Sequence, residues 1–229
     1  MDVRTSTPDD AVTNVDELAD AVDQGRDDVV RQLAQTVEPR SVSLLLHRFA
    51  GARRPEAVRV LLDSGADPNV LDESGANALH HAAAADDLAS AEALIEAGAD
   101  LDLRDREHAS SPVLWAENFH HREMVQLLLR RGARVNLQEA GKLGLTSVIA
   151  GFLDVVPEAI DVTVGWPTAL TGAVAGGHLP AVRLLLERGA DPNAPAGNGE
   201  KPLQATMWVD EGAVRDEISA LLRDHGATT

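Results

Sequence analysis

Few residues in this chain could do chemistry. Two histidine pairs, His80-His81 and His120-His121, suggest metal ligands. Adjacent residues on a helix point about 100° apart, however, so neither pair can close on one ion through one face. The 229 residues include no cysteine, which excludes disulfides, thiol nucleophiles and cysteine-based zinc sites. No nucleophile motif, phosphate-binding glycine loop or metal triad accompanies the carboxylates. The sequence therefore implies no metal and no cofactor. What remains are the three tryptophans, Trp115, Trp166 and Trp208, set among small residues and scattered charges. An apolar floor with tryptophan walls suits a peptide hot spot or a small-ligand pocket, and it equally suits aromatic rings that fill gaps in packing.

The elements that must position these residues are short helices in a repeat. The stretch Gly65-Ala66-Asp67-Pro68-Asn69 returns as Gly98-Ala99-Asp100-Leu101-Asp102, Gly132-Ala133-Arg134-Val135-Asn136 and Gly189-Ala190-Asp191-Pro192-Asn193, with a trace at Gly226-Ala227. Successive glycines are 33, 34, 57 and 37 residues apart, and 57 reads as 33 plus a shortened unit of 24. Such a period marks a stacked array. Before each Gly-Ala an Ala-rich segment leads into an apolar run ending in a leucine pair, so a unit reads as two helices closed by a glycine stop.

The phrases Asn77-Ala78-Leu79-His80-His81-Ala82-Ala83, Ser111-Pro112-Val113-Leu114-Trp115-Ala116 and Thr168-Ala169-Leu170-Thr171-Gly172-Ala173 resemble the ankyrin signature, Thr-Pro-Leu-His-x-Ala-Ala. The run from Val182 to Asn193 and the spacing extend the match over residues 15 to 227. The resemblance implies an all-α fold with short β-hairpin fingers, an ankyrin-repeat solenoid of about seven stacked helix-turn-helix units, caps included. Residues 1–14 are polar and aperiodic and read as a disordered tail, leaving 15–229 as one repeat domain. In the fourth unit the finger Asp105-Arg106-Glu107-His108 lacks the glycine of Asp72-Glu73-Ser74-Gly75 and takes the extra residue of the 34 step. The fifth unit is expected to lack its hairpin and the first turn of its inner helix.

In this family the concave groove is lined by the fingers and by exposed positions of the inner helices, and it serves as a binding surface. Units aligned on the outer-helix valine place Asp20, Arg48, His81, Trp115, Glu139, Gly172 and Ala205 in one column. The resemblance thus implies a partner-binding set of His81, Trp115, Glu139, Trp166 and Trp208, with Asp72, Glu73, Asp105 and Arg106 at the rim. Gly172, Ala175 and Gly176 leave space for a dent beside the missing finger. The family positions of His47 and His80 hydrogen-bond a neighbouring backbone, and those of His121 and His178 lie at the turn between helices. His81 has no such family role. The alternative is a small-molecule binder or an enzyme that uses a Trp-walled pocket, with Glu117, Glu139 and His81 as acid, base or orienting groups. Glu117 stands where the motif has a small packed alanine, and burial there would raise a carboxyl pKa above ~4.3.

The formal charge of −17 repels phosphate backbones and anionic lipid, so nucleic acid and membrane surfaces are unexpected partners and a neutral or basic protein fits better. The same acidity also serves solubility. The amino terminus has no apolar core for a secretory signal and no run reaches membrane-spanning length, which makes a cytoplasmic location the default expectation. Abundant Ala, Arg, Asp and Gly with only Lys142 and Lys201 as lysines resembles a bacterial, GC-rich composition.

Overall fold

A computed structural model describes residues 8–163 and 167–228, and for residues 8–14 the backbone alone. The chain divides into two compact units, Met1–Arg134 and Val135–Thr229. The first carries α1 (Pro8–Asp23), α2 (Asp27–Ala34), α3 (Pro39–Gly51), α4 (Pro55–Asp63), α5 (Ala78–Ala85), α6 (Leu88–Glu96), α7 (Pro112–Asn118) and α8 (Arg122–Arg130). The second carries α9 (Leu137–Lys142), α10 (Thr146–Val155), α11 (Ala169–Ala175), α12 (Leu179–Glu187), α13 (Pro202–Ala205) and α14 (Gly212–Asp224), with 3-10 turns at Pro157–Ala159 and Thr206–Trp208. Helix α1 starts at Pro8, within the stretch expected to be a tail, with proline at the first turn where its missing N–H is no loss; residues 1–7 lie outside the described residues.

Local chemistry sets the helix ends. Side chains accept the orphan N–H groups at the starts: Asn77 caps His80, Asp87 caps Ser90, Asn136 caps Glu139 and Thr168 caps Thr171. The recurring glycines stop the outer helices in the left-handed region, as at Gly65 with φ +91°, where the following Ala66 N–H turns back to Leu61 O at 3.1 Å. The last residue of the repeated motif then ties one unit to the next. Asn69 Nδ2 donates to Gly98 O at 2.9 Å, and Asp100 N donates back to Asn69 Oδ1 at 2.7 Å. Asn193 does the same with Gly226 O and Thr228 N in the second unit.

Helix pairs stack within each unit. Inner helices α3, α5 and α7 pack in a row, as do outer helices α4, α6 and α8; the second unit repeats this with α9, α11 and α13 inside and α10, α12 and α14 outside. Fully buried Ala82, Ala83 and Ala173 allow the inner helices to approach, while Leu46, Leu61, Leu94, Leu128, Ile149 and Leu185 fill the space behind them. Between α9 and α11 only glycine fits: a Cβ on Gly141 would come within 2.3 Å of Ala169 O.

Among the described residues no strand is formed, and the fingers are turn loops rather than β-hairpins. Each is closed by a hairpin-like bond, Asp72 N to Ala76 O at 2.9 Å and Asp105 N to Ser110 O at 3.0 Å, and Arg106 N donates to Ser74 O of the preceding finger at 2.8 Å. One closing bond per loop is too little ladder to make a strand.

The shortened fifth unit differs from its expectation. The cap Asn77 follows Gly65 by 12 residues and Ser111 follows Gly98 by 13, but Asn136 follows Gly132 by only four. The inner and outer helix caps Asn77 and Asp87 are ten residues apart, whereas Asn136 and Leu145 are nine. Eight of the missing residues therefore come from the finger and one from α9. The first turn of the inner helix is present, with a full capping box.

Candidate functional site

The predicted residues of the first unit converge on one face built by α3, α5, α7 and two fingers. Buried histidines anchor the fingers. His47 on α3 places Nε2 3.2 Å from Ala76 O, and His80 on α5 places Nε2 3.1 Å from Ser110 O, so each inner helix holds the loop of the next unit. His80 Nδ1 also meets Asn77, completing the cap of α5. His121 and His178 bind carbonyls of a preceding inner helix, Ala84 O at 3.0 Å and Lys142 O at 2.9 Å. These are the structural roles that the resemblance implied.

His81, one residue beyond the anchor, is half-buried and faces the finger. Its Nε2 lies 2.8 Å from Asp72 Oδ2, and its ring meets His47 edge to face at 5.2 Å and Trp115 at 5.7 Å. Trp115 in turn packs against His80 at 5.2 Å and donates its indole N–H to Asp105 Oδ2 at 2.8 Å. The result is a row of rings, His47, His81 and Trp115, with the polar edges of His81 and Trp115 held by finger carboxylates and that of His47 by a finger carbonyl. Arg48 is exposed at the head of the row and pairs with Asp23 at 3.3 Å.

The carboxylates differ. Asp72 Oδ1 accepts from Ser74 Oγ at 2.7 Å and Ala76 N at 3.0 Å. Burial pushes its pKa up, but the bonds from Ser74, His81 and Ala76 N–H outweigh this and hold it down at about 2. Asp105, expected at the rim, is only 4% exposed: its oxygens accept the N–H groups of Glu107, His108 and Ser110 as well as the indole. It belongs to the finger's interior because the inserted residue lets the loop wrap its carboxylate. Burial raises the Asp105 pKa, and the bonds, led by His108 N–H, bring it below its ordinary value. Loss of hydration pushes the buried His80 down to about 4. His47 is lowered first by burial and then by the charge of His81.

Glu73 and Arg106 are exposed at the finger tips, as expected. Glu139 is a correction. It is 7% exposed and its Oε2 accepts Asn136 N–H at 2.9 Å, so it occupies the position of His80 and not that of His81. The residue missing from α9 shifts the column by one. The dent expected at Gly172, Ala175 and Gly176 is also taken up by packing: a Cβ on Gly172 would lie 3.2 Å from Lys142 N, and one on Gly176 2.9 Å from Lys142 O. Glu117 is half-buried on α7. Trp208 stands in the second unit, 59% exposed beside exposed Met207, with its indole N–H on Glu200 Oε1 at 3.0 Å. Trp166 lies outside the described residues. Two shallow, open depressions lie elsewhere in the first unit, one among Leu88, Glu92, Glu123 and Arg130, the other among Glu17, Asp20, Gln24 and Arg26.

Sequence reasoning missed His47 and Asp72 as neighbours of His81. The repeat order places the three in adjacent units, on one inner helix and on the finger and inner helix that follow, but does not fix how closely they approach.

Comparison with known proteins agrees with this architecture. A family model described as ankyrin repeats (3 copies) matches residues 18–105 and 46–139, and an ankyrin repeat model matches 168–196, with most of the shortened unit between them. The chain is 31% identical over 162 residues to the B-cell lymphoma 3 protein homolog of Mus musculus, covering 69% of this chain and 31% of that protein. It is 29% identical over 202 residues to the human ankyrin repeat and SOCS box protein 16, covering 80% and 45%. With the ankyrin repeat protein YahD of Escherichia coli it is 30% identical over 187 residues, covering 75% of this chain and 90% of that one. The chain thus spans less than half the length of these mammalian relatives and most of the bacterial one. With its capped helix pairs, left-handed glycine stops, histidine-anchored fingers and these matches, the chain belongs to the ankyrin-repeat family.

Proposed function

We propose that this protein–protein interaction module takes its partner on the face of the first unit that carries the rings of His81 and Trp115 and the exposed finger residues Glu73 and Arg106. The observation that carries this reading is the ring row itself. Three aromatic rings stand edge to face, and carboxylates fix the polar edges of His81 and Trp115. Binding such a surface requires little further ordering of side chains, which is where association otherwise loses affinity. Aromatic anchors among polar rims are the usual hot spots. The charge of −17 favours a neutral or basic protein. No helix among the described residues is long and apolar enough to cross a membrane.

The test is affinity capture from the source cell extract, followed by titration of the purified partner. Trp115→Ala should weaken binding by about 2 kcal/mol, roughly thirtyfold. Trp115→Phe keeps most of the packing and loses the indole bond, so it separates a binding defect from a folding one. Full affinity in both variants would remove this face from the interface.

A further inference from the structure

We propose that His47, His81 and Asp72 form a binding site for a divalent transition-metal cation, with Zn2+ the best match to the donors. One ring nitrogen from each histidine and a carboxylate oxygen of Asp72 lie within 4.8 Å of one another. Two imidazoles and one carboxylate form a common protein donor set for zinc, and a water molecule completes four-coordination. The trio is assembled across units: His47 comes from α3, and Asp72 and His81 come from the finger and inner helix that follow.

Two features suit a ligand site. The first is outer support, since ligands that hold a metal well are themselves held by further hydrogen bonds. Asp72 Oδ1 is fixed by Ser74 Oγ and Ala76 N, which leaves Oδ2 to face His81 Nε2. The second is an incompletely satisfied histidine. His47 is 8% exposed, with Nε2 beside Ala76 O, while Nδ1 makes no well-formed hydrogen bond and has only a weak backbone contact with Leu44 of its own helix. A buried imidazole with spare capacity is costly to leave so, and coordination lets one nitrogen bind the ion while the other donates to the backbone.

The geometry needs only small movements. Bonds of about 2.1 Å in a tetrahedron place ligand atoms about 3.4 Å apart. The 2.8 Å contact between His81 and Asp72 must open slightly, and the wider separations must close. The His81 and Asp72 side chains are 29% and 23% exposed, so they can shift and an ion can enter from solvent while His47 stays packed. A bound ion would tie two successive units together under the ring row. Among the described residues, the pairs His108–Asp105 at 4.0 Å and His121–Asp86 at 3.9 Å bring only two groups each and serve as internal controls.

Isothermal titration of the full chain with ZnCl2 at neutral pH tests the site, with thermal unfolding as a second readout. The wild type should bind one equivalent. At about a hundredfold excess over Kd the unfolding midpoint should rise by about 5 °C. Asp72→Asn keeps the acceptor for Ser74 and Ala76, and His81→Gln alters a half-exposed side chain, so both should fold by circular dichroism. Each should weaken binding at least about tenfold, and His108→Gln should leave it unchanged. No zinc bound by the wild type would overturn the proposal. So would binding that survives both Asp72→Asn and His81→Gln, or that disappears in His108→Gln.

Discussion

The fingers opened by Asp72 and Asp105 start from the same design and end in different states. Each begins with an aspartate, is closed by one backbone bond, and hangs from a histidine of the preceding inner helix, His47 for the first and His80 for the second. In the first finger the carboxylate takes a hydroxyl, a single N–H and an imidazole, and stays within reach of solvent. In the second it takes three backbone N–H groups and an indole and is buried. One inserted residue makes the difference. It moves the left-handed position from three residues after the aspartate, at Gly75, to four, at Ala109, and the longer loop closes over its own acid. An ankyrin finger can thus serve as adjustable surface or as fixed scaffold according to a single residue of length.

The largest test of this contrast is acid. Folded His80 has its pKa near 4, below the unfolded value of about 6.5, so between these values the unfolded chain binds the extra proton. Stability is fully present above about pH 6.5 and falls as the pH drops toward 4, by about 3 kcal/mol for this group. The lowered His47 adds to the loss in the same direction. Urea unfolding at pH 7 and pH 4.5 should show the drop, and His80→Gln should flatten it. Asp72, held at about 2, then contributes a further loss between about pH 4 and 2, because its stabilising charge disappears only there.

Next in size is the exchange of acids for alanine. Asp105→Ala removes the acceptor of three backbone N–H groups, that of Ser110 buried, and of an indole, and should cost about 2 kcal/mol or more in urea unfolding at pH 7. Asp72→Ala should cost less, about 1 kcal/mol, since Ser74 and His81 can turn to water and only the Ala76 N–H is left without its acceptor. Equal costs would erase the distinction between scaffold and surface.

The smallest effects lie at the left-handed positions and have opposite signs. Gly75 has φ +81°, and a Cβ there would meet Arg106 Cγ at 2.6 Å, so Gly75→Ala should destabilise by about 1 kcal/mol. Ala109 already bears that strain at φ +51°, so Ala109→Gly should stabilise by about 0.5 kcal/mol, read as a rise in unfolding midpoint.

Much of this was legible in the sequence because repetition made it so. The glycine period, the leucine pairs and the anchoring histidines each obey a local rule, and a rule repeated every unit can be read without coordinates. What spacing does not carry is the consequence of a departure of a single residue. One deletion in α9 moved Glu139 from the solvent column into a capping box, and one insertion turned Asp105 inward. Gly172 and Gly176 depart from expectation for another reason: a small residue marks an empty space or a close helix contact equally well, and only the neighbour's position decides. The approach of His47, Asp72 and His81 depends on loop geometry that residue spacing does not carry.

The most direct test of the account is hydrogen exchange of the chain alone and with its bound partner. The account predicts slowed exchange at residues 70–77, 103–111 and along α5 and α7, with α4, α6 and α8 unchanged. Protection confined to the outer helices, with both fingers exchanging as in the free protein, would contradict it.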